Sequence, residues 1–378
     1  MEVSEALIRA LKNDDVEALK SRVERINATD QKNQHLGFYA VRQKAHAVLT
    51  WLLKEGVDLH AVNKHGETVL HVAAYLGDAE ACRMVIDASA EVEAANKNNQ
   101  TPLMYAAQKG NIDCLNALLK AGADVTTKDY EGCHALFYAI KSKRLRIVDR
   151  LLESGAPVHW LNDKHESLIH IVCAHGLPSI FERLIEQGVN PYQKNIYHQT
   201  ALHYAVLEPM ESLTDRLIDL GLSSYDKDHF GESPYDRAEL NGYDAAVLKF
   251  TRLKNDPSHR EAIKRYPLHH ALRRNRFDEA LARMETDDVK EKDRYGNSPL
   301  FYALMLRDHL LVDALLSKDA PLNDIDALHR DAYFYPVLEG NIGLIKRLIS
   351  RADTPPSNTT MVLAKSLNRL SVLALLSP

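Results

Sequence analysis

Residues Thr101–Asp124 read TPLMYAAQKGNIDCLNALLKAGAD and follow the lead-in Asn96-Lys97-Asn98-Asn99-Gln100. The stretch predicts a short helix, a tight turn and a second helix. Thr101 offers a hydroxyl to the orphan N–H groups of the first helix, and Pro102 stands where its missing N–H does no harm. Leu103, Ala106 and Ala107 share one face, and the two alanines let a neighbouring helix come close. Gly110 ends this helix with a residue free to turn left-handed. Leu115, Leu118 and Leu119 line the second helix, and Gly122 ends it. One such hairpin cannot bury its own apolar face, so it requires a neighbour on each side.

The neighbours come at a fixed period. Thr68, His134, Ser167, Thr200 and Ser233 occupy the position of Thr101 in steps of 33 residues. Nine residues on stand Gly77, Gly110, Gly176 and Gly242, and seventeen on stand Leu118, Leu151, Leu184 and Leu217. This period, with Thr68-Val69-Leu70-His71-Val72-Ala73, Thr200-Ala201-Leu202-His203-Tyr204-Ala205 and Ser298-Pro299-Leu300 behind Asp293 and Gly296, resembles the ankyrin repeat. The resemblance implies an all-α solenoid of about twelve helix pairs with short hairpin loops, in two blocks. It also implies a scaffold that recognises other proteins.

The composition is that of an ordinary globular chain: 378 residues, 45% hydrophobic, 26% charged, 16 Gly and 14 Pro. A net charge of -5 gives no general affinity for polyanions. Met1-Glu2-Val3-Ser4-Glu5 is acidic and unlike a secretory signal, and no apolar run approaches the roughly 20 residues of a membrane helix. Cys82, Cys114 and Cys173 stand where other repeats carry apolar residues such as Leu, Ala or Val, and Cys133 stands on an inter-repeat loop. They read as thiols in a reducing cytoplasm, with neither a zinc spacing nor a disulfide framework.

Taken in order, residues 1–34 read as an N-terminal capping repeat with charged outer positions, and 35–250 as a first repeat block. In this block Lys44 and Pro209 replace turn glycines. The fourth repeat crowds Lys141, Lys143, Arg144 and Arg146 around its turn. The seventh, Ser233-Pro234-Tyr235-Asp236, has Asp where the repeat carries His, which resembles the last unit of an ankyrin array. Residues 251–265 carry no repeat signature and read as a basic linker. The pattern restarts in a second block, 266–357, and 358–378 reads as a pair of C-terminal capping helices.

Signatures of chemistry are sparse. No phosphate-binding glycine loop, dinucleotide fingerprint, zinc-protease or nucleophile-elbow motif occurs. Within the resemblance, His71, His170, His203 and His269 hydrogen-bond the loop backbone of the neighbouring repeat. Cys133-His134 is an adjacent pair without a third orienting group. The chain is therefore expected to be no enzyme and to need no cofactor or metal. A cryptic active site within 262–378 is the alternative from another class.

Binding surfaces are the better candidates. In the ankyrin family partners meet the hairpin finger tips and the last exposed positions of the first helices. Aromatics stand at the tips as Tyr130, Tyr197, Phe230 (beside His229) and Tyr295. Groove positions carry Tyr75, Leu76, Leu207, Leu240, Met305 and Leu306, apolar where exposure favours charge. Tyr105, Tyr138, Tyr204 and Tyr302, one residue before a recurring alanine, are expected in the core facing the next repeat.

One strip departs from the acidic body. Lys249, Arg252, Lys254, Arg260, Lys264, Arg265, Arg273, Arg274 and Arg276 face only Asp256 and Glu261 in that stretch. Such a strip could steer an acidic partner or a lipid head group, which makes a membrane-surface binder the second alternative. Nucleic acid fits least, because few aromatics interleave. The expectation is thus a monomeric cytoplasmic adaptor with a protein partner. Its irregular repeats also resemble those of effectors that intracellular bacteria deliver into a host cytoplasm, although Ser371–Pro378 lacks the glutamate-rich end some of those carry.

Overall fold

The computed structural model describes residues 5–21, 23, 26–207, 210–255, 266–273, 277–293, 296–325, 330–351, 355–367 and 369–376. Among these every regular element is a helix, and the helices come in pairs. Pro102–Lys109 and Ile112–Lys120 form the pair read from the opening stretch. Gly110 joins them at φ 86°, and a Cβ there would lie 2.8 Å from Cδ of Arg144 in the next repeat. The turn glycine is therefore needed twice, for its left-handed backbone and for the room it leaves. Lys44 and Lys143 hold the same turn at φ 54° and 55° without that freedom.

Two compact units are distinguished, Met1–Lys164 and His165–Pro378. In the first, Leu70, Ala73, Leu103, Ala106, Leu136 and Ala139 of successive first helices are buried, as are Leu118 and Leu151 of the second helices. Each leucine so enclosed contributes about 1.5–3 kcal/mol through area removed from water. The pair Glu5–Lys12 and Val16–Lys20 starts this unit. Here Asp14 accepts from Ala47 N (2.9 Å) and Val48 N (2.8 Å), satisfying the start of the next repeat's second helix.

The recurring histidine joins one repeat to the next. His71 Nδ1 accepts from Thr68 N–H at 3.1 Å, while its Nε2 donates to Gln100 O at 2.9 Å. His170 does the same with Ser167 N–H (3.1 Å) and Gln199 O (3.2 Å). His203 keeps the bond from Thr200 N–H (3.1 Å) but faces Glu232 O from outside good hydrogen-bond geometry. Asp236 retains only the first half of the device, accepting from Ser233 N–H at 2.8 Å. A carboxylate has no second donor to pass on.

The second unit contains a contact that no repeat period predicts. A Cβ on Gly188, at φ 81°, would overlap the Phe334 ring. Arg330 donates to Ile185 O at 3.4 Å, and the Tyr192 and Tyr302 rings meet edge to face at 5.9 Å. Residues 185–192 thus lie against Tyr302, Arg330 and Phe334. The buried Arg330 guanidinium also sits 5.2, 5.5 and 5.6 Å from the Phe301, Phe334 and Tyr335 rings. Its charge is held by π faces and a carbonyl dipole.

Candidate binding surfaces

Each finger tip is built by one side chain. Asp129 Oδ1 accepts from Glu131 N (2.9 Å) and Cys133 N (2.8 Å), folding the loop back on itself. Asn96, Asn195 and Asp228 do likewise at their own tips. Successive fingers are tied by single backbone bonds. In the first unit Tyr130 N donates to Asn98 O at 3.1 Å, and in the second His229 N donates to Tyr197 O at 2.9 Å. The loops are therefore rigid platforms whose side chains project.

The predicted tip residues differ in what they present. Tyr130, in the first unit, is 72% exposed. In the second unit Phe230 is 67% exposed and lies 5.6 Å from the Tyr197 ring, tilted by 35°. Beside them the His198 and His229 rings stand 3.9 Å apart, and burial, then the neighbouring His229, lower the His198 pKa. Tyr295 lies outside the described residues.

The groove positions divide. Tyr75, Leu76, Leu207 and Leu240 are exposed, and Lys109 Nζ lies 4.2 Å over the Tyr75 ring. Leu306 is half-buried. Met305 overturns its expectation: it is only 4% exposed, on a first helix, Pro299–Met305, whose every residue is buried. The neighbouring positions of that block receive residues 185–192, so its first helices do not present the open face seen around Tyr75.

The tyrosines need a correction as well. Tyr302 is buried, but Tyr105, Tyr138 and Tyr204 are half-buried, and their hydroxyls reach back rather than forward. Tyr105 donates to Glu67 (2.7 Å) and accepts from Asn96 (3.0 Å), and Tyr204 donates to Glu166 (2.6 Å) and accepts from Asn195 (2.9 Å). Tyr138 donates to Asp129 and accepts from Gln100. Burial and the carboxylate acceptor push these phenol pKa values up. The signal was legible: an Asx residue nine positions before a tyrosine recurs as Asp30/Tyr39, Asn96/Tyr105, Asp129/Tyr138, Asn195/Tyr204 and Asp293/Tyr302.

The basic strip is partly engaged. Lys249 is ion-paired with Asp215, one rung of a series linking equivalent second-helix positions that includes Arg216–Glu182 (2.9 Å) and Arg347–Asp313 (2.6 Å). Lys254 Nζ lies 4.9 Å over the Tyr225 ring, and Arg252 is exposed. The backbone at Arg273 ends the helix Pro267–Arg273. Arg260, Lys264, Arg265, Arg274 and Arg276 lie outside the described residues.

Among the described residues of 262–378 one cleft, of about 450 Å³, is lined by Leu316, Ser317, Asp319, Ala320, Pro321, Leu322, Asn323 and Arg351. Arg351 donates to Leu316 O at 2.8 Å and Ser317 Oγ to Ala314 O at 2.7 Å, so both act within the fold. Cys82, Cys114 and Cys173 are buried free thiols, and burial pushes the half-buried Cys133 thiol up to about 12. Among the described residues no group of three His, Cys, Asp or Glu could hold a metal ion. Among them, too, no helix is long and apolar enough to cross a membrane.

Comparison with known proteins places this geometry. A search of curated proteins returns no match. Among solved structures, the human ASB11 ankyrin repeat domain superposes with a TM-score of 0.51 at 21% identity, over 57% of this chain and 97% of that one, a likeness of fold. The family model for ankyrin repeats (3 copies) matches residues 37–129, 94–161 and 136–228. Ankyrin repeats in general are modules of protein–protein interaction. With those matches running together over just more than half of its length, on helix pairs of the same fold, the chain belongs to the ankyrin-repeat family.

Proposed function

We propose that the chain is a non-catalytic protein-recognition scaffold that holds its partner on finger tips and on the exposed ends of first helices. The observation that carries this is the Tyr197–Phe230 pair: two rings side by side on tied finger tips, facing water. Their exposed apolar area does nothing for the fold, whereas aromatic anchors of this kind dominate binding energy in interfaces. Tyr130 offers the same on the first unit. A protein partner is favoured over a lipid head group because Lys249 and Lys254 of the basic strip are already engaged. Four free cysteines suit a reducing cytoplasm.

The test is capture of partners from a cell lysate by wild type and by a variant carrying Tyr130→Ser, Tyr197→Ser and Phe230→Ser. The variant is expected to lose specific partners while its melting curve stays within about 0.5 kcal/mol of wild type, as exposed substitutions do. Undiminished capture would remove the finger tips as the site.

A further inference from the structure

The fourth repeat puts positive charge where other repeats place a helix cap. At the start of second helices, Asp78 accepts from Ala81 N (3.0 Å), Asp308 from Leu311 N (3.1 Å) and Asn341 from Leu344 N (3.0 Å). The equivalent residue before Leu145–Glu153 is Arg144, which makes no such cap, and Arg146 follows in the first turn. A cation at this end opposes the helix dipole, where an acid would be favoured. Both arginines are exposed. Among the described residues no carboxylate lies within ion-pair distance of Lys109, Arg144 or Arg146. Second-helix cations such as Arg216 and Arg347 have acidic partners.

These cations are continuous with apolar surface. Arg144 Nε donates to Gln108 O at 3.4 Å, which lays its stem across Gly110 next to Lys109. Lys109 in turn reaches over the Tyr75 ring at 4.2 Å. Tyr75 and Leu76, 45% and 39% exposed, flank one end of the strip, and Leu145, 44% exposed, flanks the other. The Tyr75 ring is also 6.0 Å from the Tyr105 ring.

We propose that Tyr75, Leu76, Lys109, Arg144, Leu145 and Arg146 form a docking strip for an acidic protein segment that carries apolar side chains between its carboxylates. Charge complementarity selects the acid, and the two apolar ends select the anchors. Lys109 occupies the Tyr75 ring face, which leaves no open platform for stacking a nucleic-acid base. The alternation of cations with apolar side chains matches a peptide with both characters better than the uniform charge of a head-group layer. This inference rests on the reading of the chain as a protein-recognition scaffold and specifies the chemistry of one partner.

The test is fluorescence anisotropy of the full chain with a labelled peptide of alternating glutamate and leucine. Its glutamine counterpart, phosphatidylserine vesicles and a single-stranded oligonucleotide serve as rival probes. The glutamate peptide is expected to bind, to weaken with salt, and to lose about tenfold or more in Lys109→Glu/Arg144→Glu. Arg144→Glu puts an acid at a helix start, so that variant is expected to melt no lower than wild type. Equal affinity for the glutamate and glutamine peptides overturns the proposal. So does a charge reversal that weakens only the vesicles or the oligonucleotide. A natural partner held undiminished by the reversed variant sinks this inference and leaves the scaffold reading standing, whereas no specific capture by wild type sinks the scaffold reading itself.

Discussion

Arg330 donates to the carbonyl of Ile185 across 145 residues of chain, and the bond is buried. With Gly188 against Phe334 and Tyr192 against Tyr302, it fastens the second block's first helices to the 185–192 segment. In most of the array a helix pair meets the pairs before and after it. Here, within the second unit, segments far apart in the chain meet.

Gly188→Val is expected to open this contact. The added side chain overlaps Phe334, and the left-handed backbone at φ 81° disfavours a β-branched residue. A loss of about 2–3 kcal/mol fits overpacking and strain of this kind. Hydrogen exchange in Pro299–Met305 should quicken while exchange in Pro102–Lys109 stays as it is. Equal exchange in both helices of variant and wild type would show that the contact is not tight.

Stability should fall in mild acid. Burial lowers His170 to about 4, and also lowers His203 to about 4. A proton on His170 Nδ1 would oppose the Ser167 N–H that now donates to it. Because the folded pKa is depressed, the contribution is whole above the unfolded value of about 6.5 and drains away as pH falls toward 4. His170 alone accounts for about 3 kcal/mol by this linkage. Melting temperatures between those pH values should drop, and His170→Gln should flatten the slope while lowering stability at neutral pH. An unchanged slope in the variant would assign the acid sensitivity elsewhere.

His134→Thr should stabilise the first unit. His134 opens Ala135–Lys141 without capping it, and both ring nitrogens are buried without a hydrogen-bond partner. Burial drives its pKa down to about 3. Threonine stands at the same position in Thr68, Thr101 and Thr200; the Thr68 hydroxyl accepts from His71 N, a cap worth about 1 kcal/mol, whereas Thr101 makes no such bond. The ring's edge contacts with Phe137 (4.9 Å) and Trp160 (6.1 Å) are lost in exchange. The net gain is expected at about 0.5–1 kcal/mol, read from denaturant midpoints at unchanged slope. A destabilised variant would mean that the ring's packing outweighs its unmet polar atoms.

The sequence by itself determined what is local. The 33-residue period placed the helix pairs, the turn at Gly110, the cap histidines His71, His170 and His203, and the tip residues Tyr130, Tyr197 and Phe230. These follow from backbone capping, left-handed turns and nearest-neighbour stacking, which act within one repeat or between adjacent ones. The Asx–tyrosine spacing of nine was equally readable, although a helix-period argument sent those rings to the core. Only the tertiary structure decided the burial of Met305, the pairing of Lys249 with Asp215 and the seat of Phe334 on Gly188. The last depends on where residues 330–335 lie against 185–192. That position is set by contacts between residues far apart in the chain, which a repeat period does not encode.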